Sequence, residues 1–251
     1  MKIGIIGTGV VGSAIQEGFS RLGHEVLVHD IKLDTSIEDV LDTELVYLCL
    51  PTQPKEDGSC NIDIIVDVLS KLTELNYNGK VAVKSTIVPG TYDKLTSVFD
   101  KKYLCLVPEF LREKHAIEDF IWNHNVLVIG SEYNETVDLV IKSHGHYPKE
   151  VKVVTPYECE FVKYFSNSFK AYKTVFANSF GKLCDKHNVD YSNVLDVYRA
   201  ESVKETAYLK YFNEGFGGMC LPKDVNAINK LTKDTDIDTF DFILNENKKF
   251  F

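Results

Sequence analysis

The segment MKIGIIGTGVVG confines the start of this chain to a strand, a glycine turn and a helix, in that order. KIGII is an unbroken apolar run of strand length, Gly7, Gly9 and Gly12 punctuate GTGVVG, and VVGSAIQEGFSRLG has helical periodicity closed by Gly23. EVLVHD then reads as a second strand ending on Asp30. Strand, glycine turn, helix and strand, with an acid at the end, form the fingerprint of a dinucleotide-binding unit. Gly7 permits the tight turn, Gly9 lets the backbone approach a pyrophosphate, and Gly12 lets the helix pack closely. Val10 and Val11 open the helix, whose unsatisfied N–H groups face the phosphates. Asp30 falls where a carboxylate binds both ribose hydroxyls and repels a 2′-phosphate, so NAD is expected over NADP, with Lys32 close enough to soften that preference.

The following strands read as ELVYLCLP, KVAVKS, YLCLVP, NVLVIGS and VKVV, alternating with helical stretches such as NIDIIVDVLSKLTEL and ETVDLVIKSHG. Continuous apolar strands of this kind suit a largely parallel sheet buried on both faces. Thr52, Thr86 and Glu109 each stand where one of these strands stops. In open parallel sheets ligands sit beyond the carboxyl ends of the strands. Any one of the three reads equally well as a turn, cap or solvated helix-start residue; together, downstream of the fingerprint, they favour one shared site.

Hydrophobic residues make up 44% of the chain and charged residues 26%, the ordinary globular balance. The net charge of -9, without a long basic run, argues against a nucleic-acid surface. No apolar run reaches membrane-span length, and the first residues do not resemble a signal peptide, so a soluble cytoplasmic protein is expected. The six cysteines have no metal-type or paired spacing, so no metal is expected, and Cys49 and Cys105 lie in strand-like runs that suit inert core thiols.

From Thr155 the pattern becomes helical. The fold class expected is therefore α/β, a Rossmann-type doubly wound and mostly parallel sheet over residues 1–155, followed by an all-helical domain over 156–251. Thr155 suits a cap, Pro156 the first helical position, and Glu158 and Glu160 the first turns. Phe161, Phe165, Phe169, Tyr172, Phe176 and Phe180 form an apolar stripe at helical spacing, read as core or subunit packing. Cys159, Lys163 and Asn167 share another face. Lys163 and Asn167 could donate to a developing oxyanion, but periodicity alone favours a solvated face. Further on, EGFGGMCLPKD sets a lone thiol, Cys220, behind Gly217 and Gly218 and ahead of Lys223 and Asp224, company that a core cysteine does not need.

Taken together, LPTQPKEDGSCN, VKSTIVPGT, VPEFLREKHAIEDF, ECEFVKYFSNSFKAYK and GFGGMCLPKD resemble the nucleotide-sugar 6-dehydrogenases, of which UDP-glucose 6-dehydrogenase is the best-known type. The resemblance extends from the glycine turn to the last residue, and GFGGMCLPKD is its most specific part. It implies NAD-dependent oxidation of a sugar C6 alcohol to a carboxylate in two hydride transfers. Cys220 is the implied nucleophile, forming a thiohemiacetal with the intermediate aldehyde and then a thioester that water hydrolyses. A bound aldehyde has no second hydride to give until a nucleophile makes it tetrahedral.

By the same resemblance Lys163 and Asn167 stabilise oxyanions and Asp224 acts with Lys163. Thr86 and Glu109 position water, with Glu109 as general base. Pro51, Thr52, Thr86 and Glu113 join the cofactor site. Glu109, Phe110, Leu111, Arg112, Lys163, Asn167, Phe212, Gly217 and Lys204 line the substrate site. Lys204 stands where the family often has an arginine, and lysine lacks that bidentate fork. The partners implied are a nucleotide sugar and a second copy of the chain in a homodimer built on the long helix. Family chains run on into a second nucleotide-binding domain, so a short form is expected. Two alternatives stay open: a β-hydroxyacid-type dehydrogenase making one hydride transfer, and a non-catalytic NAD-binding remnant.

Overall fold

The structure, a computed structural model, describes residues 1–55, 59–202, 208–210 and 212–251. It divides into two units, Met1–Gln53 with Cys60–Lys163, and Tyr164–Phe251 with the short segment Pro54–Ser59.

The first unit is a seven-stranded sheet in the order β2-β1-β3-β4-β5-β6-β7. Its strands are β1 (Lys2–Ile6), β2 (Glu25–His29), β3 (Leu45–Leu48), β4 (Lys80–Val83), β5 (Leu104–Leu106), β6 (Val126–Gly130) and β7 (Glu150–Val154). All neighbours are parallel except β5 and β6, which meet antiparallel at Leu106 and Gly130. The helices are α1 (Val10–Arg21), α2 (Asp63–Glu74), α3 (Tyr92–Thr96), α4 (Ala116–Ile121) and α5 (Asn134–His144). This is the Rossmann-type, mostly parallel architecture expected from the sequence.

The strand pattern explains the two cores. On one face Ile6, Val46, Leu48, Val81, Val83 and Leu106 pack with Ile65, Leu69 and Leu72 of α2. On the other, Ile3, Ile5, Tyr47, Ala82 and Cys105 pack with Ile15 and Phe19 of α1 and Phe120 of α4. Alternate residues of each strand serve opposite faces. The expectation of strands buried on both faces holds for β1, β3, β4 and β5 but not for β7, whose residues are almost all exposed. As the last strand of the sheet, β7 has a neighbour on one side only.

The long helix α6 (Pro156–Lys186) starts where Thr155 and Pro156 predict. Thr155 Oγ1 accepts from Glu158 N at 3.2 Å and Thr155 N donates to Glu158 Oε2 at 2.9 Å, a reciprocal cap. The second unit continues with α7 (Tyr191–Ser202), α8 (Leu221–Leu231) and α9 (Thr239–Asn247). Its core joins Ala171 and Val175 of α6 to Phe216, Val225 of α8 and Ile243 of α9. The side chain of Asn247 holds the loop ahead of the cysteine by accepting from Phe216 N at 2.7 Å and donating to Phe216 O at 3.0 Å. Among the described residues no helix is long and apolar enough to cross a membrane.

The faces of α6 reverse the plainer sequence expectation. Lys163 and Asn167, read from periodicity as solvated, are only 8% and 3% exposed. The aromatic stripe faces outward, with Phe165 76% exposed. Periodicity reports which residues share a face; it does not report which face finds hydrogen-bond partners inside the chain.

Candidate active site

The glycine turn has the geometry that a bound dinucleotide needs. Gly7 adopts φ +95°, and a side chain there would meet Cys49 O at 2.5 Å. A Cβ on Gly12 would sit 1.9 Å from Gly7 O, so the close contact of helix and turn excludes any other residue. At Gly9 a Cβ would meet nothing within 4 Å. The turn is thus closed on its inner side and open at Gly9, where the pyrophosphate is expected. Asp30 accepts from Thr8 N at 2.7 Å and Thr8 Oγ1 at 3.0 Å, and from Lys32 N at 2.9 Å. The Thr8 amide in particular holds its carboxyl below the usual carboxylate range. The group at the end of β2 is therefore an anion at neutral pH.

The strand ends are tied together. Thr52 Oγ1 donates to Thr86 O at 2.9 Å, and Ser85 Oγ accepts from Leu50 N at 2.9 Å and donates to Leu50 O at 2.8 Å. Beyond β5, Lys163 Nζ donates to Glu109 O at 2.6 Å and to Glu109 Oε1 at 2.9 Å. Glu109 Oε2 accepts from Leu111 N at 2.6 Å. Both side chains are largely buried, so each charge relies on the other and on these hydrogen bonds. The ring of Phe110 lies 5.6 Å from Lys163 Nζ. Glu109, Leu111 and Lys163 thus form one bonded cluster with Phe110 against it.

In the second unit, Asn167 Nδ2 donates to Asp224 Oδ2 at 2.5 Å, and Lys223 Nζ stands 2.8 Å from Asp224 Oδ1. Asp224 is 1% exposed, so one hydrogen bond from Asn167 and the nearby Lys223 cation stand in for its lost hydration. The cation and anion that follow the thiol in the sequence thus pair with each other. Cys220 occupies the N-cap of α8 and is exposed. Gly218 just before it adopts φ +78°, a conformation that favours glycine, and Gly217 faces open space. The other five cysteines are buried or half-buried. Burial pushes the Cys49 and Cys159 thiols up to about 12 and drives that of Cys105 higher still.

Other expected residues are placed less tellingly. The guanidinium of Arg112 is engaged by Asp119, Nε to Oδ2 at 2.9 Å and Nη2 to Oδ1 at 2.7 Å. Glu113 is exposed. Phe212 is exposed beside a cleft of about 420 Å³ in the second unit, lined also by Asp185, Tyr191, Arg199 and Lys210. Lys204 lies outside the described residues. Sequence reading gave no role to Lys84, which is buried at the end of β4 with Nζ 3.4 Å from Val107 O, its pKa lowered by burial. The signal was a lysine interrupting the apolar run VAVKS. Among the described residues no cluster of histidine, cysteine and acidic groups is placed to hold a metal.

A parallel sheet with a glycine turn at one strand end and an acid at the next defines a dinucleotide-binding protein. The chain matches the UDP-glucose/GDP-mannose dehydrogenase family at its NAD binding domain, over residues 32–146, and at its central domain, over residues 157–248. These spans cover most of the chain, which belongs to this family of NAD-dependent oxidoreductases, and its cofactor is NAD. It is 28% identical to a UDP-glucose 6-dehydrogenase of Rickettsia bellii over 99% of this chain and 67% of that one. A UDP-glucose dehydrogenase from Pyrobaculum islandicum superposes with a TM-score of 0.89 at 24% identity, over 98% of this chain and 68% of that one. A ternary complex of GDP-mannose dehydrogenase from Pseudomonas aeruginosa gives 0.71 at 26% identity, over 99% and 68%. The chain spans about two thirds of the length of the curated relatives it matches.

Proposed function

We propose that this chain oxidises the C6 alcohol of a nucleotide sugar to the carboxylate, with UDP-glucose as the default substrate. One observation carries the reading: of six cysteines, the one in GFGGMCLPKD is the exposed one, and the acid four residues on is held buried by Asn167 and Lys223. The residues that fit NAD are Gly7, Gly9, Val10, Val11 and Gly12 at the pyrophosphate and Asp30 at the ribose, with Lys32 beside it. Pro51, Thr52, Thr86 and Glu113 complete its site. When bound, NAD accepts a hydride in each of two oxidations.

The chain's own groups do the rest. The first oxidation leaves an aldehyde; the Cys220 sulfur attacks its carbon, the C=O π bond opens, and the thiol proton ends on the former carbonyl oxygen. The tetrahedral thiohemiacetal has the C–H that the second oxidation needs. Lys163 and Asn167 donate to the oxygen as charge develops on it, and Asp224 orients Asn167. Glu109 takes a proton from the water that cleaves the thioester, releasing carboxylate and thiol; Thr86 helps place that water. Lys163 holds Glu109 in place through its carbonyl and Oε1. Phe110, Leu111, Arg112, Gly217 and Phe212 contact the substrate. A panel of sugar nucleotides supplied with NAD tests the reading by NADH absorbance. Turnover of at least one sugar nucleotide is expected, and none with any would end it.

The outward stripe of α6 is the second part of the reading. Tyr157, Phe161, Phe165, Phe169, Tyr172, Phe176 and Phe180 are all exposed on one helix, more apolar surface than a monomer ordinarily leaves in water. A second copy of the chain covers it. Light scattering at micromolar concentration should give twice the chain mass; the monomer mass contradicts this.

A further inference from the structure

The start of α6 carries three residues that reach the end of a strand and two loops of the same unit. Cys159 Sγ lies 3.6 Å from Leu106 O, and Lys163 grips Glu109. Between them is Glu160, 3% exposed, whose place in the sequence suggested only a helix-start charge. Its carboxylate does not favour its own helix start. Oε2 accepts from Gly90 N at 2.7 Å and Oε1 accepts from Tyr92 N at 2.7 Å. These amides belong to the turn closing the STIVPGT loop and to the first residue of α3. Gly90 adopts φ +87°, so the turn is a tight one.

Burying a carboxylate is costly, and burial does raise the Glu160 pKa. A fold that needed only an end for this loop could use a neutral cap. The loop fastened here carries Thr86, whose carbonyl is fixed from the other side by Thr52. It leaves β4 beside Ser85, itself bonded to Leu50 beyond β3. Glu160 thus fastens the loop that carries Thr86, and Lys163 the loop that carries Glu109, both residues given roles above, while Cys159 meets the end of β5.

We propose that Glu160 is a positioning residue, a latch that fixes the Thr86 loop in its cofactor-binding form and sets it in register with Lys163 one turn further along α6. The inference rests on the role given to Thr86 in the proposed function. No proton or bond changes at Glu160; it acts through two backbone amides.

The test is Glu160→Gln, with Glu160→Asp as a second variant that keeps the charge but shortens the reach. Three quantities are read on each: amide hydrogen exchange by peptide, the dissociation constant for NAD, and steady-state kcat at saturating NAD. Loss of one charge-assisted bond should speed exchange at residues 85–92 by about tenfold, with the rest of the sheet as protected as in the wild type. NAD should bind several-fold more weakly, and kcat at saturation should fall about tenfold, because a misplaced loop is not corrected by more cofactor. Loop exchange that stays at the wild-type rate overturns the latch. So does faster exchange with unchanged NAD affinity and kcat, which is the signature of a merely structural bond. Should the wild type oxidise no sugar nucleotide, the functional reading fails on its own, and loop exchange with NAD affinity still decides the latch. Glu160→Asp decides it if the glutamine variant does not fold.

Discussion

The two units present their polar groups in opposite ways. In the first, the strand-end groups are already bonded to one another: Thr52 to Thr86, Glu109 to Lys163, Asp30 to Thr8. In the second, a buried pair, Asn167 and Asp224, stands in the same unit as a thiol left open to solvent on a glycine loop. A group whose task is to hold a cofactor or steer charge gains from being fixed before binding. A nucleophile gains from access and from a backbone that lets it approach. On the proposed function the contrast separates positioning chemistry from bond-making chemistry, and it can be broken at several points.

The largest effect is expected at Lys163. Lys163→Met leaves Glu109 buried without its cation and, on the proposed mechanism, removes an oxyanion donor, so kcat should fall about a thousandfold. Steady-state NADH production measures it, and a loss under tenfold would show that the pair is only structural. Next comes Asp224→Ala, which strands the buried Lys223 beside an empty site and leaves Asn167 without its acceptor. Stability should drop by about 3 kcal/mol in urea denaturation. A change near zero would show that the second unit does not depend on this pair.

These groups differ in how readable they were. The glycine turn, Asp30, the strands and the start of α6 follow from local rules: apolar period, turn chemistry and capping. The buried polar face of α6 does not, because Lys163 and Asn167 are polar residues at helical spacing, and that pattern usually means solvent. What buries them is their partners, Glu109 and Asp224, each more than fifty residues away in the chain. Family motifs carried that long-range information where periodicity could not. Glu160 and Lys84 escaped for the same reason. The exposure of β7 also went unseen, since an apolar run does not say that a strand will be last in its sheet.

Acid should separate the units. His144 is fully buried in the first unit, and His124 is held down to about 4, by burial first and then by the Lys84 cation. Both folded values lie below the usual 6.5, so the unfolded chain takes up protons first. Stability is therefore full above that value and declines as pH falls from 6.5 toward about 4, where the His124 share is wholly lost. The slope is at most about 1.4 kcal/mol per pH unit for each histidine. Hydrogen exchange across this range should loosen first around α4 and α5, and uniform loosening of both units would contradict the assignment. The smallest effect is expected at Asp30: Asp30→Ala should relax the preference for NAD over NADP by about tenfold in kcat/KM. An unchanged ratio would assign the selectivity elsewhere.

The central claim is that Cys220 makes the bond that permits a second oxidation. The most direct test counts NADH formed per sugar consumed at completion, with mass spectrometry of the quenched Glu109→Gln variant alongside. The account predicts two NADH per sugar, a carboxylate product, and a sugar-nucleotide adduct on the peptide bearing Cys220 when hydrolysis is slowed. One NADH per sugar with an aldehyde or ketone product, or undiminished two-step turnover in Cys220→Ala, would contradict it.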